Sequence, residues 1–274
     1  MEYQVIPPPP ALKNYVRYFW TLDCSCAERS RQVLKLMADR YPRLIVQHLS
    51  GHSAIRDPRG ELLPGAFLGG VTTRQTAYAI RGFYAHTCVS FYPHGLHRLF
   101  GVDAARLTDA LPDLAHFCPR RLRESLLLAP SRGERIARLA RYLLDQLQAR
   151  GRDDQALTAC LLEGDPVGPP AGVGVLLKKY GWSERQLERK FKTAVGISPT
   201  TYLRIVRFEK AVDQLRSDRF GKLQDVAFGL NYADHSHFTR EFKQFSGYTP
   251  KAFLAEQKYS EESASFLVDE NSAG

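Results

Sequence analysis

Arg185, Glu188, Arg189 and Lys192 recur at i, i+3, i+4 and i+7. On a helix that spacing gathers one carboxylate and three cations on a single face. Fifty-one residues later His235, Ser236, Thr239, Arg240 and Lys243 hold a comparable polar set. Guanidinium forks, a carboxylate and hydroxyls at such spacing are suited to hydrogen-bonded recognition of planar polar groups and of anions. A second group, His86, His94, His97 and His116 with Cys88, is the candidate metal cluster. His94 and His97 can share a helical face, but no HxH or HExxH motif and no acidic partner supports metal ligation. Nucleophile elbow, P-loop and dinucleotide fingerprints are absent from the sequence. These observations predict no catalytic site, no metal and no cofactor.

The elements that must position the two polar faces repeat. Shifted by 51 residues, LLKKYGWSERQLERKFKTAVGISPTTYL (176–203) falls on AFGLNYADHSHFTREFKQFSGYTPKAFL (227–254). Arg189 meets Arg240, Phe191 meets Phe242, Gly196 meets Gly247 and Pro199 meets Pro250. Two copies are too few for a solenoid, so they read as one module used twice. Ser183 with Gln186 is a capping-box pattern, and Leu187, Phe191 and Ala194 give the helix an apolar side. Asp234 is the expected cap of the second copy, with Phe238, Phe242 and Phe245 facing inward. A short helix precedes each polar-faced helix (175–180 and 224–230), followed by a turn at Gly181 or Asn231. Short helix, tight turn and polar second helix form the helix–turn–helix pattern. A helix from Pro199 to about Arg216 joins the copies and is able to hold them roughly 34 Å apart, one turn of a DNA duplex.

The runs SERQLERKF, GISPTTYLRIVRFEKA and DVAFGLNYADHSHFTREFKQFSGYTPKAF resemble the AraC/XylS family of bacterial transcription regulators, over about 100 residues. That resemblance implies two helix–turn–helix units joined by a long helix, bound to promoter double-stranded DNA beside RNA polymerase. It puts Arg185, Glu188 and Arg189 of the first unit, and His235, Ser236, Thr239 and Arg240 of the second, toward base edges. Arginine pairs with guanine and glutamate accepts from cytosine. Lys192, Arg207 and Lys243 are expected at phosphates, which position the protein without reading sequence. Asn231 stands where the family usually has glycine, and a Pro/Gly run from Gly164 to Gly172 precedes the first unit.

Length suits two domains, at 1–151 and 152–258, followed by an acidic tail, 259–274, expected to be disordered. Residues 1–151 carry 21 Lys+Arg and 12 Asp+Glu, a net +9; residues 152–258 carry 17 and 13, a net +4. The basic excess is therefore not concentrated in the helix–turn–helix half, and it is the placement of individual charges that points to DNA. Short apolar segments between Asn14 and Tyr92, broken by glycines, predict a β-rich first half, and 95–100, 120–128 and 134–149 read as helices. The last has Ile136, Leu139, Leu143, Leu144 and Leu147 on one face, to pack on its own domain or on a second subunit. PPPALKNYVRYFW, GAFLGGVTTRQTAYAI and SFYPHGLHRLFGVDAARLTD resemble the sensor-like domains that precede many AraC-type modules. The fold class expected is α+β with two domains: a cupin-like barrel followed by helices, then an all-α double helix–turn–helix. A small effector or a homodimer partner is the implied role of the first half, with Tyr18, Trp20, Phe91 and Tyr92 as candidate pocket residues. No run of about 18 apolar residues and no signal pattern occurs, and the five irregularly spaced cysteines read as reduced thiols. A cytoplasmic, nucleoid-associated protein without a membrane span is expected.

Overall fold

The computed structural model describes residues 2–24, 31–48, 54–81, 84–151, 153–162, 172–217, 220–255 and 265–269. In chain order its strands are β1 (Glu2–Ile6), β2 (Val16–Cys24), β3 (Arg31–Leu36), β4 (Arg43–Gln47), β5 (Ile55–Arg56), β6 (Ala66–Gly69), β7 (Thr76–Arg81), β8 (Tyr84–Phe91) and β9 (Ser265–Asp269). The helices are α1 (Gly95–Phe100), α2 (Arg120–Leu127), α3 (Arg132–Ala149), α4 (Gln155–Leu162), α5 (Val173–Tyr180), α6 (Glu184–Ala194), α7 (Pro199–Arg216), α8 (Leu223–Gly229), α9 (His235–Ser246) and α10 (Pro250–Ala255).

The described strands make two antiparallel sheets, β1-β2-β8-β4-β6 and β5-β7-β3-β9. The expected closed barrel is corrected here: no ladder among the described residues joins one sheet to the other. Side chains alternate along a strand, so the first sheet feeds two cores. Phe19, Leu44, Val46, Val89 and Phe91 face α1, α2 and α3. Trp20, Leu22, Ile45, Phe67 and Cys88 face the second sheet. β8 is buried throughout because it is central and covered on both sides. The apolar face of α3 is used within its own chain: Leu139 and Leu143 lie in the sheet–helix core, with Ile136, Leu144 and Leu147 packed against it.

The ends of the chain also join sheets. Ahead of the four prolines at Pro7–Pro10, β1 pairs with β2 from Glu2↔Asp23 to Ile6↔Phe19. The tail expected to be disordered contributes β9, which pairs with β3 from Gln32↔Asp269 to Leu36↔Ser265. β9 covers the edge of β3, a row of amide and carbonyl groups that otherwise stands open. The Gly164–Gly172 run lies outside the described residues apart from Gly172, as does Cys26.

The helices α5–α10 enclose one core built on Leu187, Phe191, Phe208, Phe238, Phe242 and Phe245. Met37, Ala38 and Val71 of the first half join it, so the two halves share packing. The Ala38 amide donates to the Phe245 carbonyl at 2.9 Å, and Thr108 Oγ1 donates to the Gly196 carbonyl at 3.1 Å. Arg40 pairs with Glu209 of α7 through Nε at 2.9 Å, and its amide donates to the same carboxylate at 2.9 Å.

Candidate nucleic-acid interface

Local chemistry builds each unit. Gly181 turns α5 into α6 with φ +64°, a left-handed value that costs glycine little. Ser183 accepts the Gln186 amide at 3.3 Å while Gln186 Oε1 accepts the Ser183 amide at 2.9 Å, closing the capping box. Ser198 and Pro199 then start α7. In the second unit Asn231 makes the turn at φ +58°, and Asp234 accepts the His237 amide at 2.7 Å. Gly247 ends α9 at φ +82°.

Burial separates the faces of these helices. Leu187, Phe191 and Ala194 of α6 are buried, while Arg185, Glu188, Arg189 and Lys192 are exposed. Phe238, Phe242 and Phe245 of α9 are buried; Ser236, Arg240 and Lys243 are exposed; His235 and Thr239 are half-buried. Each unit therefore presents a polar, net cationic surface of short and long donors, as expected from the sequence. The 18-residue α7 runs between the units and packs into their shared core through buried Tyr202, Ile205, Phe208 and Val212.

Arg207 departs from expectation. Its guanidinium donates to Glu241 Oε1 at 2.7 Å and stacks 4.1 Å from the centre of the Tyr232 ring. Arg204 binds the other oxygen of Glu241 at 2.7 Å, and His237 Nε2 lies 3.8 Å from it. Glu241 is 3% exposed. It is a carboxylate hub fixing α9 to α7, and sequence reasoning missed it. The signal was present: Glu241 occupies the repeat position of Lys190, a reversal of charge at one place in the module. Lys190 instead pairs with Asp154, ahead of α4, the residue that also accepts the Leu157 amide at the start of that helix.

The candidate pocket residues are not brought together. Trp20 and Tyr18 belong to the inter-sheet core, whereas Phe91 lies in the sheet–helix core on the opposite face, and Tyr92 is half-buried beyond the end of β8. The histidines are likewise dispersed. His86 is buried between the sheets, its ring 4.3 Å from Trp20 and 4.8 Å from Tyr84, and burial pushes it down to about 3. His94 is buried at the start of α1, and His116 is exposed. Among the described residues no group of three or more His, Cys, Asp or Glu is arranged to hold a metal. No helix among them is long and apolar enough to cross a membrane.

Residues 176–256 match the family described as Helix-turn-helix domain, and residues 4–113 match Domain of unknown function (DUF6597). Over 81 residues the chain is 38% identical to the F1 operon positive regulatory protein of Yersinia pestis, covering 30% of this chain and 27% of that protein. Over 87 residues it is 31% identical to the HTH-type transcriptional activator RhaR of Pectobacterium atrosepticum, covering 32% and 30%. The C-terminal domain belongs to the AraC-type helix–turn–helix family. These matches span less than a third of either relative, so the likeness is one between AraC-type domains. The solved structure of ToxT from Vibrio cholerae aligns over 86% of this chain and 98% of its own at 10% identity, with a TM-score of 0.46, too low to carry the fold of the first domain.

Proposed function

We propose that the chain is a sequence-specific DNA-binding transcription regulator whose first domain transmits a signal to its AraC-type domain. The observation that carries this reading is the pair of capped helices, α6 and α9, each with an apolar buried side and an exposed cationic side, joined by one 18-residue helix. Arg185, Glu188 and Arg189, with His235, Ser236, Thr239 and Arg240, are the proposed base readers; Lys192 and Lys243 take phosphates. Arg207 is reassigned to holding α9 in place. The relatives named as a positive regulator and an activator favour activation at a promoter, beside RNA polymerase. Interdomain packing favours a ligand-responsive regulator over one whose first domain only dimerises, because a signal received there has direct contacts through which to reach both units.

Selection of sites from a random DNA library by the full chain tests this. Two conserved blocks about one helical turn apart are expected. Arg189→Ala and Arg240→Ala should each cost roughly 1–3 kcal/mol and relax preference at one base, in different blocks. Unaltered affinity and preference in both variants refutes the base-reading assignment.

A further inference from the structure

Two exposed arginines of the first half stand beside the two recognition helices, at equivalent places of the repeat. Gly196, just after α6, packs against the Ala104–Arg106 turn: Thr108 Oγ1 donates to its carbonyl at 3.1 Å, and a Cβ on it would lie 2.7 Å from the Ala104 carbonyl oxygen. Gly247, at the end of α9, packs against Gln75, whose side chain would lie 3.2 Å from a Cβ there. These two glycines are repeat mates in the two copies of the module. The first domain thus meets both units at the same point, and each segment that does so carries an arginine, Arg106 in one and Arg74 in the other.

Both guanidinium groups are available. Arg106 is exposed and makes no hydrogen bond or ion pair among the described residues. Asp103, which precedes it, accepts the Ala105 amide at 3.1 Å. The Arg74 side chain is 72% exposed; its carboxylate neighbour, Asp109, is 4.0 Å away and already accepts the Thr73 amide at 2.7 Å and hydroxyl at 2.5 Å. A single exposed cation is ordinarily a solvated surface charge. What sets these two apart is that the same placement occurs twice.

Helix length decides what lies near them. α6 has 11 residues and α9 has 12. At 1.5 Å per residue they are about 16 and 18 Å long, against a major groove about 12 Å wide. The base readers assigned to each helix lie within its first two turns. A helix seated by those turns runs out of the groove, and its far end, where Gly196 or Gly247 stands, comes beside a bordering phosphate backbone.

We propose that Arg106 and Arg74 each bind a DNA phosphate at the edge of the groove entered by α6 and α9 respectively, so that the first domain forms part of the DNA-binding surface. The inference rests on the reading of α6 and α9 as recognition helices. A guanidinium donates to phosphate oxygens in a fork and carries no sequence information in doing so. That the first half holds more net positive charge than the helix–turn–helix half accords with this role.

The test measures binding of the full chain by fluorescence anisotropy across a salt series, on a mixed-sequence duplex and on the duplex it selects from a random library. Arg106→Gln and Arg74→Gln should each weaken both complexes roughly threefold to tenfold near 0.1 M salt, and each should flatten the dependence of log affinity on log salt by about 0.9. The double variant should lose about twice that slope and select the same two blocks as the wild type. Arg106→Lys and Arg74→Lys should keep the wild-type slope. Arg121→Gln removes the same charge from the exposed start of α2, which packs on α3 and β4, and should change neither affinity nor slope. Wild-type slopes in both glutamine variants, an equal loss in Arg121→Gln, a loss that lysine does not restore, or an altered base preference overturns the contacts. A wild-type chain that binds neither duplex refutes the regulator itself; one that binds while the variants match it refutes only the part given to the first domain.

Discussion

Arg207 is committed before any DNA arrives, and its partner explains why. Glu241 is buried, and two arginines satisfy both of its oxygens. Removing one member of such a group leaves charge without compensation in a low-dielectric site. Glu241→Ala should therefore destabilise the C-terminal domain by about 3 kcal/mol, the lower end for a buried pair because Arg204 is partly exposed. Urea unfolding followed by tryptophan fluorescence measures it, and a loss below about 1 kcal/mol contradicts the hub. Gly196 shows the same dependence on distant partners. The sequence marks it as a helix end, and its φ of +98° agrees. The domain interface adds a constraint that no local pattern contains: a Cβ there would lie 2.7 Å from the Ala104 carbonyl oxygen. Gly196→Ala should cost roughly 1–3 kcal/mol for the backbone alone, and more where the Ala104 turn cannot retreat. Hydrogen exchange that rises at the Ala104–Arg106 turn as well as in α7 identifies the interface; a rise in α7 alone limits the effect to the helix end.

At the scale of elements, the parts legible from sequence are those whose causes are local. Ser183 with Gln186, Asp234 and the left-handed turns at Gly181 and Asn231 each act within a few residues, and each is where the pattern put it. Ser183→Ala should cost about 1 kcal/mol, the usual worth of such a cap, and the loss should be read as faster amide exchange in the first turn of α6. Exchange unchanged there would mean that packing, not capping, fixes the helix start. β1, β3, β5 and β9 escaped because short strands are defined by pairing with residues far along the chain. The two-sheet arrangement escaped for the same reason: alternation marks which side of a strand is apolar, not which sheet it faces. The candidate pocket failed on one parity step, since Trp20 and Phe91 point to opposite faces of the first sheet.

At the scale of the molecule, buried histidines make stability depend on acidity. Burial holds His86 down to about 3 and His48 and His94 down to about 4, against 6.5 for the free side chain. Between those values and 6.5 the unfolded chain binds more protons than the native one, so stability is full above pH 6.5 and falls as the pH drops below it. Glu209, pushed up to about 7 by burial against the opposing Arg40 guanidinium, acts with the opposite sign between about 4.5 and 7. Three groups outweigh one, so urea midpoints should fall from pH 7 to pH 5, with a shallower slope in His86→Leu. A flat profile in the wild type would contradict neutral, buried histidines. The strand β9 bears on a different property of the whole. The C-terminal domain follows the first domain in the chain, yet its own far end returns to β3, in the sheet that lies on the other side of the first domain from α3. A body tethered at one end can swing freely; one moored fore and aft can only roll about the line between its moorings, unless one is cast off. Any signal that reorients the DNA-binding units therefore acts on a body whose chain both enters from the first domain and returns to it through β9.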